Sequence, residues 1–481
     1  KVWSTTDLDV QKIIKRTVAY IDKSFAKNNS IIDFIKIDIA QKIQERVWSD
    51  VITEIQTQAH NNHFRKGISF DEQFGICLLE QEMYGRAVIR SVIYNEPNFI
   101  DEKNLKTTLD KKYGKLTENF DLKRIKKVYL FDTKSVIYED QQFIELQSGD
   151  CQNGVRYIDV NNNKDHIIHI IKKNAAFLHD QIMDNGRFIY GYFPAYDREI
   201  KSYNTVRHCT SLYALIETFE VNKQEQYWVK IHKGIDYALT HFYKEPQLGT
   251  AYMIDGLDDE PEIKLGSNAA AILMLTKYQE ITQNNRYQKY AESLAKGIQT
   301  MIDEQGETTH ILHYPSLEIK DKFRIVYYDG EAALGLLRLY QINQNAVLLD
   351  TVKLMFEHFI AKNYDKYHDH WLSYCTNELT KVCPEEKYFR FGLNNYLKHM
   401  DFIRNRQTVY ATFLEMMMSA YKMLTRMEEQ GFTELLKLAK FEELKNLIQY
   451  RTEFQRNGFF YPEVAMYMQK PKNILHGFYV R

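Results

Sequence analysis

The sequence predicts a mainly α protein, an (α/α)6-type toroid built from helix hairpins and preceded by a small α+β domain. Three observations support this fold class. Helices that are apolar on all sides alternate with helices that carry one charged face. The apolar helices recur roughly every 40 to 60 residues, the spacing of a repeated helix pair. Three short β-favouring runs lie within the first 160 residues.

The composition excludes several protein classes. Lys and Arg number 63 and Asp and Glu number 64, so no overall charge favours nucleic acid or an anionic membrane. No apolar run reaches the ~20 residues that span a bilayer. Five scattered cysteines argue against a disulfide framework or structural zinc and favour a reducing, cytoplasmic compartment. The chain begins at Lys1 instead of Met, which we interpret as a processed or partial chain.

Residues 1–160 form the predicted small α+β domain, to which the sequence assigns no role. Apolar spacing of three and four predicts helices over 10–25, 31–57 and 70–89. Strands are predicted over 128–133, 136–138 and 143–146. Ser69 and Glu72 match a helix capping box, so we interpret Asp71 and Glu72 as capping residues without a catalytic role.

Residues 161–481 form the predicted toroid domain. A helix that is apolar all round must be buried, whereas a half-charged helix lies outside it. The inner helices are predicted over 205–219, 267–278, 331–340, 370–379 and 408–423. The outer helices are predicted over 165–184, 224–243, 286–302, 346–361, 385–400 and 434–450. Only five inner helices are evident before Arg481, so we interpret the last hairpin as incomplete.

The starts of the inner helices carry the candidate binding residues. In a toroid all inner helices run in one direction, so their N-termini meet at one mouth of the ring and favour an anionic or hydroxyl-rich ligand. Arginine forks bind carboxylates, which suggests a uronate among the possible substrates. The candidate substrate-binding residues are Tyr203, Arg207, Asn268, Tyr328, His370, Trp371, Arg404, Arg406, Tyr410 and Glu415.

Four residues are candidates for acid–base catalysis: Asp329, Asp369, His208 and Glu331. Asp329 with Asp369 is the preferred carboxylate pair. Burial of Glu415 would raise its pKa and suit it to donate a proton. The alternatives are that Asp329 and Asp369 cap helices and that His208 is a hydrogen-bonded core residue. His368 and His370 diverge on a helix and lack further ligands, so neither a metal nor a cofactor is predicted.

Several phrases in this region resemble those of (α/α)6-toroid enzymes, namely six-hairpin glycosidases, N-acylglucosamine 2-epimerase-like proteins and glucuronyl C5-epimerases. They are Tyr-Asn-x-x-Arg-His from Tyr203, Tyr-Tyr-x-Gly-Glu-Ala from Tyr327 and Asp-His-Trp from Asp369. The resemblance extends from about residue 165 to the C-terminus. The phrases themselves are similar to those of an uncharacterised bacterial group of toroids. It implies carbohydrate chemistry, although toroids also support other reactions.

Two functions follow as hypotheses. In the first, the chain is a glycoside hydrolase or sugar epimerase that acts on a glycan, possibly a uronate-containing bacterial polysaccharide, by carboxylate and histidine acid–base chemistry. In the second, the toroid is a non-catalytic binding or scaffold platform with a filled centre. Ionisable groups of strongly perturbed pKa in a central pocket would count against the second hypothesis.

Overall fold

The computed structural model describes residues 2–28, 32–58, 64–91, 96–148, 154–157, 163–256, 260–406 and 408–479. The N-terminal elements are α1 (Val10–Asn28), β1 (Ile35–Val47), α2 (Trp48–Thr57), β2 (Gly67–Ser69), β3 (Cys77–Leu78), α3 (Glu80–Gly85), β4 (Ile89–Arg90), β5 (Phe99–Ile100), α4 (Glu102–Tyr113), β6 (Lys127–Glu139) and β7 (Gln142–Leu146). Strand β6 is central to an antiparallel sheet of order β1-β6-β2-β3 and also pairs with β7.

Two of the three helices predicted in this region are wrong in part. The segment 31–57 is a strand, β1, before it becomes helix α2, because Ile35, Ile37 and Ile39 alternate along the chain with a period of two. Residues 70–89 contain only the short helix α3. The predicted strands over 128–133 and 136–138 are one long strand, β6.

The capping box predicted at Ser69 is also wrong. Ser69 ends strand β2, and its hydroxyl donates to the carbonyl of Asp71. The Asp71 carboxylate accepts hydrogen bonds from the backbone N–H groups of Gly75 and Ile76, at 2.8 and 2.7 Å. Asp71 therefore stabilises the turn between β2 and β3, and the capping pattern marks a β-turn instead of a helix start.

A helix-rich part of the chain begins at Asn163. Its elements are α5 (Asn163–Asp180), β8 (Tyr192–Phe193), β9 (Arg198–Glu199), α6 (Thr205–Glu217), α7 (Phe219–Asn222), α8 (Trp228–His241), β10 (Tyr243–Gln247), β11 (Thr250–Asp255), β12 (Glu262–Lys264), α9 (Leu265–Thr282), α10 (Gln288–Gln299), β13 (Ile311–His313), β14 (Ile319–Asp321), α11 (Tyr327–Asn343), α12 (Ala346–Ala361), α13 (His370–Val382), α14 (Glu386–Leu397), α15 (Met400–Asn405), α16 (Ala411–Glu429), α17 (Thr433–Leu436), α18 (Phe441–Gln455) and α19 (Pro462–Ala465). The predicted mainly α fold class is confirmed.

Five inner helices, α6, α9, α11, α13 and α16, pack side by side in that order. Helix α9 shows why they lie inside, because every residue from Leu265 to Tyr278 is buried. Antiparallel strands β10 to β14 form a sheet in the connections that lead into α9 and α11. This sheet therefore lies at the mouth where the inner helices begin.

The ring is open between its first and last inner helices. In the described ranges, α16 and α6 do not pack against each other as the other neighbours do. The segment 456–479 lies beside this opening: Tyr461 bonds His166 on α5, and a Cβ on Gly458 would lie 2.9 Å from Val409. The same segment contacts the N-terminal sheet, where Glu463 accepts two hydrogen bonds from Arg156.

Candidate active site

One face of helix α11 packs against the neighbouring inner helices, α9 and α13. Glu331 is near Gly266 on α9 and Asp369 at the start of α13, and Arg338, seven residues later, lies between Glu280 of α9 and Glu378 of α13. Residues seven apart share one helix face. The ring side of α11 is therefore the side that carries Glu331 and Arg338.

Glu331 is a buried carboxyl group with an unsatisfied oxygen. Its side chain is about 95% buried, and its Oε2 atom has no hydrogen-bond partner. Burial, followed by the charge of Asp369, raises its pKa well above the usual range. A Cβ on Gly266 would lie 2.3 Å from Oε2, so glycine is required there for the carboxyl group to fit. Burial and the neighbouring Asp369 therefore both favour the protonated form of Glu331.

Asp369 begins helix α13 and leaves one oxygen free. Its Oδ2 atom accepts a hydrogen bond from the backbone N–H of Leu372 at 2.8 Å, as an N-cap residue does. Asn395 of α14 bonds both its backbone N–H and its carbonyl. Oδ1 is buried, without a hydrogen bond, and lies 3.3 Å from Nδ1 of His370. Asp369 is thus both the predicted cap and a carboxylate with an oxygen available for a partner.

His370 lies between two carboxyl groups. Its Nδ1 faces Asp369, and its Nε2 lies 3.7 Å from Oε2 of Glu415 on α16. Desolvation raises the pKa of Glu415, although 37% of its side chain is exposed. Glu415 therefore lies where the packed ring meets solvent. Tyr374, one turn below His370, has its pKa raised by burial and by Glu415, and therefore lies near Glu415.

Asp329, two residues before Glu331, is saturated with hydrogen bonds. Its Oδ1 accepts from the Thr308 hydroxyl at 2.5 Å and its Oδ2 from Nε2 of His310 at 3.1 Å. Nδ1 of His310 accepts from the backbone N–H groups of Arg324 and Ile325, which leaves the ring proton on Nε2. This buried network joins α11 to the strands of the mouth. It does not reach the Asp369 carboxylate, with which Asp329 was paired in the sequence analysis.

His208 lies on the outer side of α6, against α8. The Tyr203 hydroxyl accepts from the N–H of Phe188 and donates to Nδ1 of His208 at 2.7 Å, while Nε2 donates to the Gly234 carbonyl at 2.9 Å. Desolvation lowers the pKa of His208 to about 4. Both ring nitrogens are occupied in an aromatic pocket, so Tyr203 and His208 are held together but apart from His370.

The remaining predicted binding residues are four uncharged side chains and three arginines. Tyr328 and Trp371 lie beside the cluster, since a Cβ on Gly266 would contact Tyr328 and one on Gly330 would contact Trp371. Asn268 is fully buried and bonds the backbone of Met253 and Lys264. Tyr410 is half-buried just before α16.

The three arginines predicted at the mouth lie away from Glu331. Arg207 is exposed and stacks over Tyr190. Arg404 pairs with Asp401 and with Glu443 of the outer helix α18. Arg406 lies over the ring of Phe402. None of the three contacts the carboxyl cluster.

Sequence reasoning missed Asp255 and the charged residues deeper in the ring. Asp255 accepts from the Thr205 N–H and hydroxyl and from Lys264 and Ser267, and so joins the starts of α6 and α9. Further along the inner helices, Lys277 contacts Glu217, Glu220 and Glu280. Helical spacing identifies them: Arg338 is seven residues after Glu331, and Tyr374 and Glu378 are four and eight residues after His370.

This arrangement is suited to proton transfer. Glu331, a carboxyl group of raised pKa, lies beside Asp369, whose free oxygen faces an imidazole, and two buried oxygens are available to bind a hydroxyl group. In the described ranges, no three His, Cys, Asp or Glu residues are grouped to hold a metal ion. Helices able to cross a membrane are likewise absent from the described part of the chain.

Comparison with known proteins identifies the fold. No protein-family model and no curated protein matches the chain. Among solved structures it is similar to a D-mannose isomerase, with a TM-score of 0.50, 14% identity and coverage of 66% of this chain and 93% of the other. The chain has the (α/α)6-toroid fold. Cellobiose 2-epimerase from Bacillus thermoamylovorans B4167 gives a TM-score of 0.49 at 14% identity, covering 62% and 89% of the two chains. At such low identity the toroid comparison establishes the fold alone.

Proposed function

We propose that this toroid is a carbohydrate-active enzyme whose ring mouth binds a sugar unit and whose Glu331, Asp369, His370 and Glu415 move protons. The observation that carries the proposal is the pair of buried carboxyl oxygens, Oε2 of Glu331 and Oδ1 of Asp369, that lack hydrogen bonds. Buried polar atoms normally have a hydrogen-bond partner, because leaving one without a partner costs ~1–3 kcal/mol. A sugar hydroxyl group donates the hydrogen bond that such an oxygen lacks.

The histidine favours an epimerase or isomerase over a hydrolase. His370 lies between two carboxyl groups, with Nδ1 3.3 Å from Asp369 and Nε2 3.7 Å from Glu415, so its ring can pass a proton between the substrate and either carboxyl group. Glu331, whose pKa is raised by burial, is the acid that protonates a sugar oxygen. A hydrolase would use Glu331 as the acid and Asp369 as the base. Asp329 and His208 are outside this set because their polar atoms are already bonded within the protein.

The charge of the cluster favours a neutral sugar over a uronate. Glu331, Asp369 and Glu415 are all acidic. In the described part of the ring, Arg338 and Lys277 are already paired with glutamates. Adding a substrate carboxylate beside three carboxyl groups is unfavourable without a free cation. A neutral hexose unit is therefore the substrate class that we propose.

The test is a thermal-shift screen of the full chain with neutral hexoses, disaccharides, oligosaccharides and uronates. Each sugar that stabilises the protein is then incubated with it in D2O and, separately, in H2¹⁸O. Epimerase or isomerase chemistry places solvent deuterium on a sugar carbon, whereas hydrolysis places ¹⁸O in a new reducing end. We expect a neutral sugar to raise the melting temperature and to gain deuterium.

The scaffold hypothesis gives a different result in the same experiment. A scaffold with a filled centre neither binds the sugars nor alters them. The raised pKa values of Glu331 and Glu415 favour the enzyme, because such values are found where a site is built for acid–base work. A chain that binds no sugar in the screen contradicts the proposal, and one that binds only uronates contradicts the neutral-sugar assignment.

A further inference from the structure

Asn395 is a polar residue in a buried helix interface. It lies in the last turn of the outer helix α14, where that helix packs against the inner helix α13, and it is 0% exposed. Burying an amide costs free energy unless each of its polar atoms has a partner. The partners of this amide all lie at the start of α13, the helix that begins with Asp369 and His370 of the candidate active site.

The amide of Asn395 binds the backbone of Asp369 on both sides. Its Oδ1 accepts a hydrogen bond from the N–H of Asp369 at 3.1 Å, and its Nδ2 donates to the Asp369 carbonyl at 2.8 Å. Nδ2 also donates to the hydroxyl of Ser373, one turn further along α13, at 2.7 Å. Both N–H groups of the amide are therefore used, and the amide holds both peptide groups that flank the Cα of Asp369.

The main chain of Asn395 holds the residue before Asp369. His368 has a φ of 51°, in the left-handed region that is strained for a residue with a Cβ. Its Nδ1 donates to the Asn395 carbonyl at 2.7 Å, one of the last carbonyls of α14, which have no partner within a helix. The His368 ring also stacks on His399, with centroids 4.6 Å apart. The bend that leads into α13 is therefore fixed by the same residue of α14.

Asp369 has little room to move. A Cβ on Gly330 would lie 2.7 Å from Oδ2 of Asp369 and 2.7 Å from the Cβ of Trp371. Gly330 directly precedes Glu331, whose carboxyl group feels the charge of Asp369. The other oxygen of Asp369, Oδ1, lies 3.3 Å from Nδ1 of His370. A displacement of the Asp369 backbone therefore alters its contacts with both Glu331 and His370.

We propose that Asn395 is a positioning residue of the candidate active site, which fixes Oδ1 of Asp369 and the imidazole of His370 in place without contacting the substrate. The claim that this cluster is catalytic rests on the proposed function. Packing alone does not require the amide, because leucine fills a similar volume without a hydrogen-bond donor or acceptor. A catalytic group needs a second set of residues to hold it within a fraction of an ångström, and Asn395 supplies three such hydrogen bonds.

The test compares Asn395→Leu with Asn377→Leu in the full chain. Asn377 is buried on α13 and accepts a hydrogen bond from Arg426, so this control makes the same chemical change in the same helix without a contact to Asp369. Ring-labelled [¹³C]histidine gives a ¹H–¹³C spectrum of each protein, and His370→Gln identifies the His370 signal by its loss. We expect that signal to move in Asn395→Leu and to keep its position in Asn377→Leu.

These spectra need no substrate, so they separate this inference from the proposed function. A His370 signal that is unmoved in folded Asn395→Leu overturns the proposal, and so does an equal movement in the Asn377→Leu control. A signal that moves only in Asn395→Leu supports the positioning role, even if no sugar is altered and the proposed function fails. With a substrate in hand, Asn395→Leu should lower kcat by up to about 10²-fold and leave KM nearly unchanged.

Asn395→Asp provides the same test if Asn395→Leu does not fold. The ionised carboxylate accepts from the N–H of Asp369 but has no proton to donate to its carbonyl, whereas the protonated form donates again. Burial raises the pKa of a carboxyl group at this position, so the change falls within an accessible pH range. The His370 signal should differ from the parent at high pH and approach it as the pH falls. A difference from the parent that is absent or independent of pH overturns the proposal.

Discussion

Asp329 and Glu331 lie two residues apart at the start of helix α11, yet their environments are opposite. Asp329 accepts hydrogen bonds on both oxygens from Thr308 and His310. Glu331 has a buried oxygen with no partner and a raised pKa. Two residues on a helix are about 200° apart, so one side chain points to the strands of the mouth and the other into the ring. The difference shows that helix phase separates a structural carboxylate from a chemically available one.

The two histidines repeat this contrast. His208 is bonded at both nitrogens between α6 and α8, whereas His370 has one nitrogen toward Asp369 and one toward Glu415 across the ring. Burial without a charged partner lowers the pKa of His208 to about 4, so it stays neutral at physiological pH. A polar residue near the mouth is therefore available for chemistry only if its helix turns it toward the ring.

The largest expected effect is on turnover. Once a substrate is known, Glu331→Gln should lower kcat by about 10²- to 10⁴-fold, because the amide keeps the shape of the carboxyl group but has no acidic proton. Steady-state kinetics measure this effect, and KM should change little. Asp329→Asn is the matched control, since it makes the same chemical change two residues away. Near-normal kcat in the Glu331→Gln protein would remove Glu331 from the proton-transfer set.

The second expected effect is on stability, which the substitution at Asp329 should lower more than the substitution at Glu331. Asp329→Asn should lower the free energy of unfolding by about 3 kcal/mol, because the amide cannot accept on both sides and Nε2 of His310 or the Thr308 hydroxyl loses its acceptor. Glu331→Gln should change it by less than about 1 kcal/mol at pH 5, since no hydrogen bond to Oε2 is lost. Urea unfolding measures both. Equal losses in the two variants would contradict the contrast drawn between them.

The sequence predicted the toroid fold and the five inner helices, because apolar periodicity and helix starts are local signals. The direction of each side chain was not predictable to the same degree. Asp329 was paired with Asp369 because both open inner helices, but the partner of Asp329 is His310, on a strand-bearing connection that sequence reasoning did not single out. The role of Gly266 is equally hidden, since only the folded ring brings Glu331 against it.

The helix prediction for the β1 segment was wrong for a different reason. Within residues 31–57, Ile35, Ile37 and Ile39 alternate like a strand, while the residues after Val47 follow helical spacing. A single sequence window that spans both segments averages the two hydrophobic periodicities and therefore predicts a helix. The alternation of β1 is also inverted, because its apolar side is the exposed one, with Ile37 41% and Ile39 64% exposed, while the Lys36 side chain is buried.

The smallest expected effect is the pH dependence of stability. Below about pH 4.5 Glu331 is protonated in both the folded and unfolded chains. As the pH rises from there to its raised folded pKa, only the unfolded chain releases the proton, so the parent should lose up to about 1.4 kcal/mol per pH unit relative to Glu331→Gln. Urea unfolding of both proteins from pH 4.5 to 8 measures this difference. If the parent gained stability over Glu331→Gln with rising pH, Glu331 would be an ionised carboxylate with partners in the folded chain, and the contrast with the hydrogen-bonded Asp329 would fail.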